Sequence, residues 1–153
     1  MAEFKTINDV IKLALEKEME AVQFYRRAVS IVDNPGTKVM LQELAREEEQ
    51  HVAYLSDIQA GKSVAAVGSK PLPPGMDLSS YLKSEPLSDN STPQDVMILA
   101  IKREDKAIAF YAGRLPVVKG TKLYPLFERL LAWEKEHKQR LEAEYDQVVL
   151  KDN

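Results

Sequence analysis

The sequence is 153 residues long, carries a formal net charge of −3 and contains no cysteine. A chain of this length forms about one domain, and the lack of cysteine excludes disulfides, thiolate metal sites, iron-sulfur clusters and a thiol nucleophile. The weak negative charge, without a lysine and arginine cluster, argues against a nucleic-acid partner. Because no stretch approaches the roughly 20 apolar residues that span a bilayer and the N-terminus has no apolar signal core, we expect a cytoplasmic protein with no membrane partner.

The first helix is predicted to begin at Ile7, directly after Thr6. Thr6 and Asp9 form a Thr-x-x-Asp pattern, in which the threonine oxygen caps free backbone N–H groups and the aspartate suits the positive end of the helix. The residues Asp-Asn-Pro-Gly at 33–36 end this helix. Between these limits, apolar residues recur three or four positions apart, as on a core-facing helix: Val10, Ile11, Ala14, Leu15, Ala21, Val22, Tyr25, Ala28 and Val29.

Three further helices follow from the same periodicity. The second has apolar residues at Leu41, Leu44, Val52, Leu55 and Ile58. A segment rich in Gly, Pro and Ser follows, and the third helix is expected from Pro93, again after a Thr-x-x-Asp pattern. The third and fourth helices have apolar residues at Val96, Met97, Ala100, Ile101, Ala107, Ile108, Tyr111 and Leu115, and at Leu123, Phe127, Leu130, Leu131, Leu141, Tyr145 and Val148. The sequence therefore predicts one domain, with a helical hairpin at 6–59, a crossover linker at 60–91 and a second hairpin at 92–149.

The two predicted hairpins are similar in sequence when they are aligned at a constant offset of 86 residues. The aligned identical pairs are Thr6 and Thr92, Asp9 and Asp95, Val10 and Val96, Leu13 and Leu99, Ala14 and Ala100, Glu18 and Glu104, Ala21 and Ala107, Phe24 and Phe110, Tyr25 and Tyr111, Leu44 and Leu130, Glu48 and Glu134, His51 and His137, and Leu55 and Leu141. Short loops within each hairpin and one long connection between them predict an all-α, ferritin-like four-helix bundle with a crossover between helices 2 and 3. The same linker could instead exchange hairpins between two chains.

Charged residues fill gaps in the apolar stripes of all four helices. Glu18 and Glu104 interrupt the first and third stripes, and Glu48 and Glu134 interrupt the second and fourth. A histidine follows three positions after each glutamate of the second and fourth helices, on the same helix face. We call these residues the six candidate ligands: Glu18, Glu48, His51, Glu104, Glu134 and His137.

Burial of four ionised carboxylates would cost several kcal/mol each, which a domain with roughly 5–15 kcal/mol of net stability cannot absorb. Two divalent cations would balance the four negative charges, and two neutral imidazoles would complete the ligand set. One glutamate from each of two helices and a Glu-x-x-His motif from each of the other two is the pattern of di-iron and di-manganese bundles. The sequence therefore predicts a site for two metal ions.

The sequence resembles the rubrerythrin branch of the ferritin-like superfamily through four motifs: Glu18-x-x-Ala-x-x-Phe-Tyr25, Glu48-Glu49-Gln50-His51, Glu104-x-x-Ala-x-x-Phe-Tyr111 and Glu134-Lys135-Glu136-His137. The resemblance implies that Glu18 and His51 are terminal ligands of one metal. Glu104 and His137 would be terminal ligands of the other, with Glu48 and Glu134 bridging. It also implies two iron ions that reduce hydrogen peroxide; manganese or zinc could occupy the same donors.

The sequence departs from the rubrerythrin pattern in two respects. It lacks the four-cysteine rubredoxin domain that feeds electrons to the site, so we expect an external redox protein to act as the electron donor. It also has Ala107 where rubrerythrins carry an additional glutamate. Ligand switching through that glutamate is therefore not expected, and the more symmetric set also resembles that of bacterioferritins.

Three functions follow as hypotheses. The first is an enzyme, a di-iron peroxidase or oxidase acting on hydrogen peroxide or oxygen. The second is an iron-binding protein for storage or delivery, in which ferrous iron is oxidised and deposited. The third is an interaction module that metal only stabilises. We expect a homodimer, with or without exchanged hairpins.

Three aromatic residues have two interpretations each. Tyr25 and Tyr111 lie two turns beyond Glu18 and Glu104, where a hydroxyl could hydrogen-bond a ligand carboxylate in support of catalysis; they could equally be core tyrosines. Trp133 adjoins Glu134 and could lie near an electron route, although packing is the simpler interpretation.

Overall fold

The computed structural model describes residues 6–59 and 86–150, and this part of the chain is built from four long α-helices. They are α1 (Ile7–Ile31), α2 (Pro35–Gln59), α3 (Pro93–Arg114) and α4 (Leu123–Tyr145). A short π-helical turn, Asp146–Leu150, continues α4. The fold is an all-α four-helix bundle, as the sequence predicts.

Local sequence explains where α1 and α3 begin. Thr6 accepts a hydrogen bond from the backbone N–H of Asp9, and the Asp9 carboxylate accepts one from the backbone N–H of Thr6. Thr92 and Asp95 form the same reciprocal pair ahead of α3. Each pair satisfies two backbone donors that a helix start would otherwise leave without partners.

The turns within the two hairpins differ. Between α1 and α2, the Asn34 side chain accepts a hydrogen bond from the backbone N–H of Thr37. Between α3 and α4, Gly120 has a φ of 83°, which glycine adopts without the steric cost that other residues meet. The buried side chain of Val118 lies in this second turn and joins the core.

The apolar core is divided into two clusters at opposite ends of the bundle. One cluster packs the start of α1 and the end of α2 against the end of α3 and the start of α4, with Ile11, Leu55, Tyr111 and Phe127 among its members. The other packs the remaining ends of the helices, with Leu44 among its members. Because apolar side chains close both ends, the middle of the bundle is the place where buried polar groups are enclosed.

The predicted crossover linker at 60–91 falls largely on residues 60–85, outside the described part of the chain. The division into hairpins joined by this linker therefore stays a prediction. Within the described residues, no helix is long and apolar enough to cross a membrane.

The capping pairs generate a first prediction. Thr92→Ala removes the side-chain acceptor for the Asp95 backbone N–H, so we expect the free energy of unfolding to fall by about 1 kcal/mol in urea denaturation. Thr92→Ser keeps the hydroxyl and should lose only a small part of this. Equal stability of the alanine variant and the wild type would show that this cap contributes nothing.

Candidate metal centre

The six candidate ligands come together between the two apolar clusters. Glu18 is supplied by α1, Glu48 and His51 by α2, Glu104 by α3, and Glu134 and His137 by α4. None is more than 5% exposed. Every helix therefore contributes a side chain to one enclosed polar site.

The side chains form two overlapping groups, in each of which one ligand atom per residue lies within 4.8 Å of the others. The first group is Glu18, Glu48, His51 and Glu134, and the second is Glu48, Glu104, Glu134 and His137. Glu48 and Glu134 belong to both. All six candidate ligands are thus brought together, and their assignment as metal ligands stays a prediction.

The separations around the histidines show how closely the donor atoms converge. His51 Nδ1 lies 3.4 Å from Glu18 Oε2 and 3.4 Å from Glu48 Oε2. His137 Nδ1 lies 2.7 Å from Glu48 Oε1 and 3.6 Å from Glu104 Oε1. Both Nδ1 atoms therefore face the carboxylates and not the surrounding apolar core.

Several buried atoms of the site have no geometrically acceptable hydrogen-bond partner. They are both carboxylate oxygens of Glu48, one oxygen each of Glu104 and Glu134, and Nδ1 of His51 and His137. His137 Nδ1 and Glu48 Oε1 lie 2.7 Å apart and form an ion pair when the imidazole is protonated, whereas a neutral imidazole leaves both atoms without a partner. Buried polar atoms without partners are costly. Lone pairs that converge from oxygen and nitrogen donors fit divalent metal ions, which remove that cost.

The ionisation of the glutamates is strongly perturbed. Burial raises the pKa of Glu18 well above its usual 4.5, and the nearby Glu48 carboxylate raises it further. Burial also raises the pKa of Glu134, together with the charges of Glu104 and Glu48. For Glu104, burial acts in the same direction, but contacts with Glu134, His137 and the Tyr25 hydroxyl lower its pKa below 4.5. Like charges this close cannot all be ionised without compensation.

The pKa of His137 shifts in the direction opposite to the effect of its burial. Burial alone would lower the pKa of its imidazole, but the adjacent Glu104 and Glu48 carboxylates raise it to about 10. In the absence of metal, the site therefore tends to retain protons on some carboxyl groups and on this imidazole. A metal ion that binds these atoms must displace those protons.

The two tyrosines singled out in the sequence are both buried. The Tyr25 hydroxyl donates a 2.5 Å hydrogen bond to Glu104 Oε1. The bond joins two helices, because Tyr25 belongs to α1 and Glu104 to α3. Tyr25 is 1% exposed, and burial together with the Glu104 and Glu48 charges raises the pKa of its phenol. Tyr111 is also buried and packs edge-on against Phe110 and Phe127.

Two contacts at the outer sides of the site were not specified by the sequence patterns. Trp133 stacks on His51 with ring centroids 4.3 Å apart and an angle of 11° between the planes. Arg140 of α4 forms ion pairs with Glu43 and Glu47 of α2. Helical spacing places Trp133 near its own helix neighbours, but gives no sign that it reaches a histidine of α2.

Comparisons with known proteins identify a family and similar solved structures. The rubrerythrin family model matches residues 9–145. A ferritin-like diiron-carboxylate protein from Thermotoga maritima superimposes with a TM-score of 0.71 at 21% identity, covering 97% of this chain and 99% of that chain. A dodecameric thioferritin, the bacterioferritin-related protein of Bacteroides fragilis, gives 0.70 at 18% identity, covering 93% and 85%. No curated protein matches the chain by sequence. At these identities, the structural likenesses show the fold alone.

The perturbed pKa values predict how stability depends on pH. Because Glu18, Glu134 and His137 have raised pKa values, the folded metal-free protein holds protons that the unfolded chain releases. Their stabilising contributions are complete at low pH and are lost as pH rises, for His137 between about 6.5 and about 10. The pKa of Glu104 is lowered, so its stabilising contribution is lost only as pH falls below the usual pKa of 4.5.

We therefore expect the melting temperature of the metal-free protein to fall between about pH 6 and about pH 9. Added ferrous or manganous ions should raise the melting temperature more at the higher pH, and their binding should release protons, measurable by calorimetry in buffers of different ionisation enthalpy. A metal-free melting temperature that rises across this interval would contradict the site's electrostatics.

Proposed function

The chain belongs to the rubrerythrin family, and from this membership and the geometry of its buried site we propose that it is a di-iron carboxylate protein that reduces hydrogen peroxide, or oxygen, with electrons from an external donor. The six candidate ligands would hold the metals. Glu18 and His51 would bind one ion, and Glu104 and His137 the other. Glu48 and Glu134 would bridge the two.

A single observation carries the proposal, the overlap of the two groups at Glu48 and Glu134. A site for one metal ion needs only one such group. Two groups that share two carboxylates suit a pair of ions held at bridging distance, as in other ferritin-like bundles. The unpartnered oxygens of Glu48 and the unpartnered Nδ1 atoms of both histidines support the same assignment.

The donor chemistry favours iron or manganese. The site offers four carboxylates in total and one imidazole per metal, a hard ligand set that zinc could also occupy without redox activity. The bound metal pair would supply the two electrons that convert one peroxide and two protons into two waters. An external one-electron or two-electron donor would then restore the reduced state, since the chain has no cysteine and thus no thiol to provide electrons.

The protein's own side chains would position the ligands and exclude water. Tyr25 holds one oxygen of Glu104 in place, and its raised pKa keeps the phenol protonated as a donor. Such a hydrogen bond from outside the ligand set fixes the carboxylate's orientation. The two apolar clusters enclose the site at both ends of the bundle, which keeps bulk water away from the reacting atoms.

Iron storage is a second candidate. The bacterioferritin-related protein that shares this fold is dodecameric, and a closed assembly of many copies could retain oxidised iron. The two functions differ in stoichiometry and oxidant. A peroxidase would hold about two irons per chain and react fastest with peroxide, whereas a storage protein would take up much more iron and react readily with oxygen.

Glu48→Gln tests the ligand assignment, and Glu49→Gln is its matched control because Glu49 is exposed and pairs with Arg26. We expect wild type and Glu49→Gln to bind about two ferrous ions per chain anaerobically. Glu48→Gln should bind markedly less and lose peroxide-dependent oxidation, followed by absorbance. Retention of both ions by Glu48→Gln would refute the bridging role. A monodisperse small oligomer with rapid peroxide oxidation would favour the enzyme, and a large shell that accumulates iron would favour storage.

Glu134→Gln should have opposite effects with and without metal. Because burial beside three other carboxylates disfavours the ionisation of Glu134, replacing it with a neutral amide should raise the unfolding free energy of the metal-free protein by roughly 1–3 kcal/mol at neutral pH. The same variant should lose most of the stabilisation that metal gives to wild type. Thermal melts with chelator and with ferrous ions measure both effects, and a variant that gains as much from metal as wild type would contradict the assignment.

A further inference from the structure

The two halves of the site repeat in sequence, but their outer sides do not. The residues that align with Trp133 and Tyr54 in the internal repeat are Glu47 and Arg140. At the equivalent positions, therefore, Arg140 and Glu47 form an ion pair. Trp133 and Tyr54 form an aromatic pair, and Trp133 stacks on His51. The asymmetry concerns the surroundings of the two histidines, while the histidines themselves are equivalent.

The aromatic side is a continuous stack. Trp133 lies nearly parallel to His51 at 4.3 Å between centroids, and His51 lies parallel to His137 at 5.4 Å with 9° between the planes. On the outer side, Tyr54 packs edge-on against the indole at 5.6 Å, and Arg129 lies over the Tyr54 ring. The indole is thus in direct contact with a predicted ligand of one metal.

The position of Trp133 connects the buried site with the surface. His51 is 5% exposed, whereas Trp133 and Tyr54 are half-buried and Arg129 is exposed. Tyr25, a second oxidisable ring in contact with a candidate ligand, is 1% exposed and hydrogen-bonded to Glu104. Of these two rings, only Trp133 can meet a reductant from solution.

We propose that Trp133 is a one-electron relay between the di-metal site and a small one-electron reductant, such as an ascorbate-type enediol, at the surface formed by Trp133, Tyr54 and Arg129. This inference rests on the proposed function. Packing alone would explain a half-buried indole, but it would not require the indole to lie parallel against a candidate ligand on one side of an otherwise repeated site.

The relay is used when peroxide meets a site that can supply only one electron. Reduction of hydrogen peroxide to two waters consumes two electrons and two protons. With one ferrous ion per chain, iron gives one electron and the Trp133 indole gives the other. The indole also releases its N–H proton, the second proton comes from solvent, and Trp133 becomes a neutral indolyl radical. The reductant then returns one electron and one proton to the indole, and is itself oxidised by one electron.

Trp133 is the only tryptophan in the sequence, so a tryptophan radical can be assigned without ambiguity. The experiment mixes protein carrying one ferrous ion per chain with hydrogen peroxide, freezes the sample within milliseconds and records its electron paramagnetic resonance spectrum. We expect a narrow radical signal whose line shape changes when the protein is made with ring-deuterated tryptophan. Ascorbate in the quench should abolish the signal.

Two variants separate a relay from a packing role. Trp133→Phe keeps an aromatic ring against His51 but should lose the signal, while Trp133→Tyr should restore a radical with a tyrosyl spectrum. Circular dichroism and ferrous binding check that both variants are folded. If Trp133→Phe fails this check, the deuterium effect in wild type and the Trp133→Tyr spectrum decide the matter.

The outcomes distinguish the relay from the function on which it rests. Iron oxidation is followed by absorbance in the same samples. Iron oxidation without a radical signal would overturn the relay and leave the proposed function standing. The same holds for a radical whose line shape is unchanged by tryptophan deuteration and which disappears in Tyr25→Phe. A failure of peroxide to oxidise the ferrous protein would overturn both.

Discussion

Four carboxylates and two imidazoles meet in the middle of this bundle, and the arrangement of the apolar residues follows from that constraint. Each helix carries a charged residue on its buried face, so a continuous apolar core is interrupted at that level. The two apolar clusters at the ends supply the burial that stabilises the fold. Between them, polar atoms without hydrogen-bond partners are held against one another. The buried site therefore destabilises the metal-free protein, whereas bound metal ions would satisfy the same atoms and stabilise the fold.

Sequence patterns predicted the features that depend on one helix at a time. The caps at Thr6 and Thr92 follow from spacing along the chain, and both helices begin where the pattern places them. The Glu-x-x-His motifs also needed only helical periodicity. Which helices face one another came from the internal repeat and from the family resemblance, and the family model and the structural comparisons confirm that resemblance and the bundle fold.

Contacts between helices could not be predicted from these patterns. Tyr25 was considered as a partner for a ligand carboxylate, but the structure shows that its hydroxyl reaches Glu104 across the bundle. The stacking of Trp133 on His51 and the pairing of Arg140 with Glu43 were not predicted. Such contacts depend on the rotation of each helix about its axis and on the crossing angles, which residue spacing does not specify.

The internal repeat also bears on how the protein folds. Each helical hairpin carries three of the six donors, Glu18, Glu48 and His51 in one and Glu104, Glu134 and His137 in the other. Contacts within a hairpin are local and form rapidly, but neither half contains a complete group of converging atoms. The complete site therefore forms only when the two halves dock. A metal ion bound there links residues far apart in the chain, so it acts as a reversible cross-link that selectively slows the separation of the two halves.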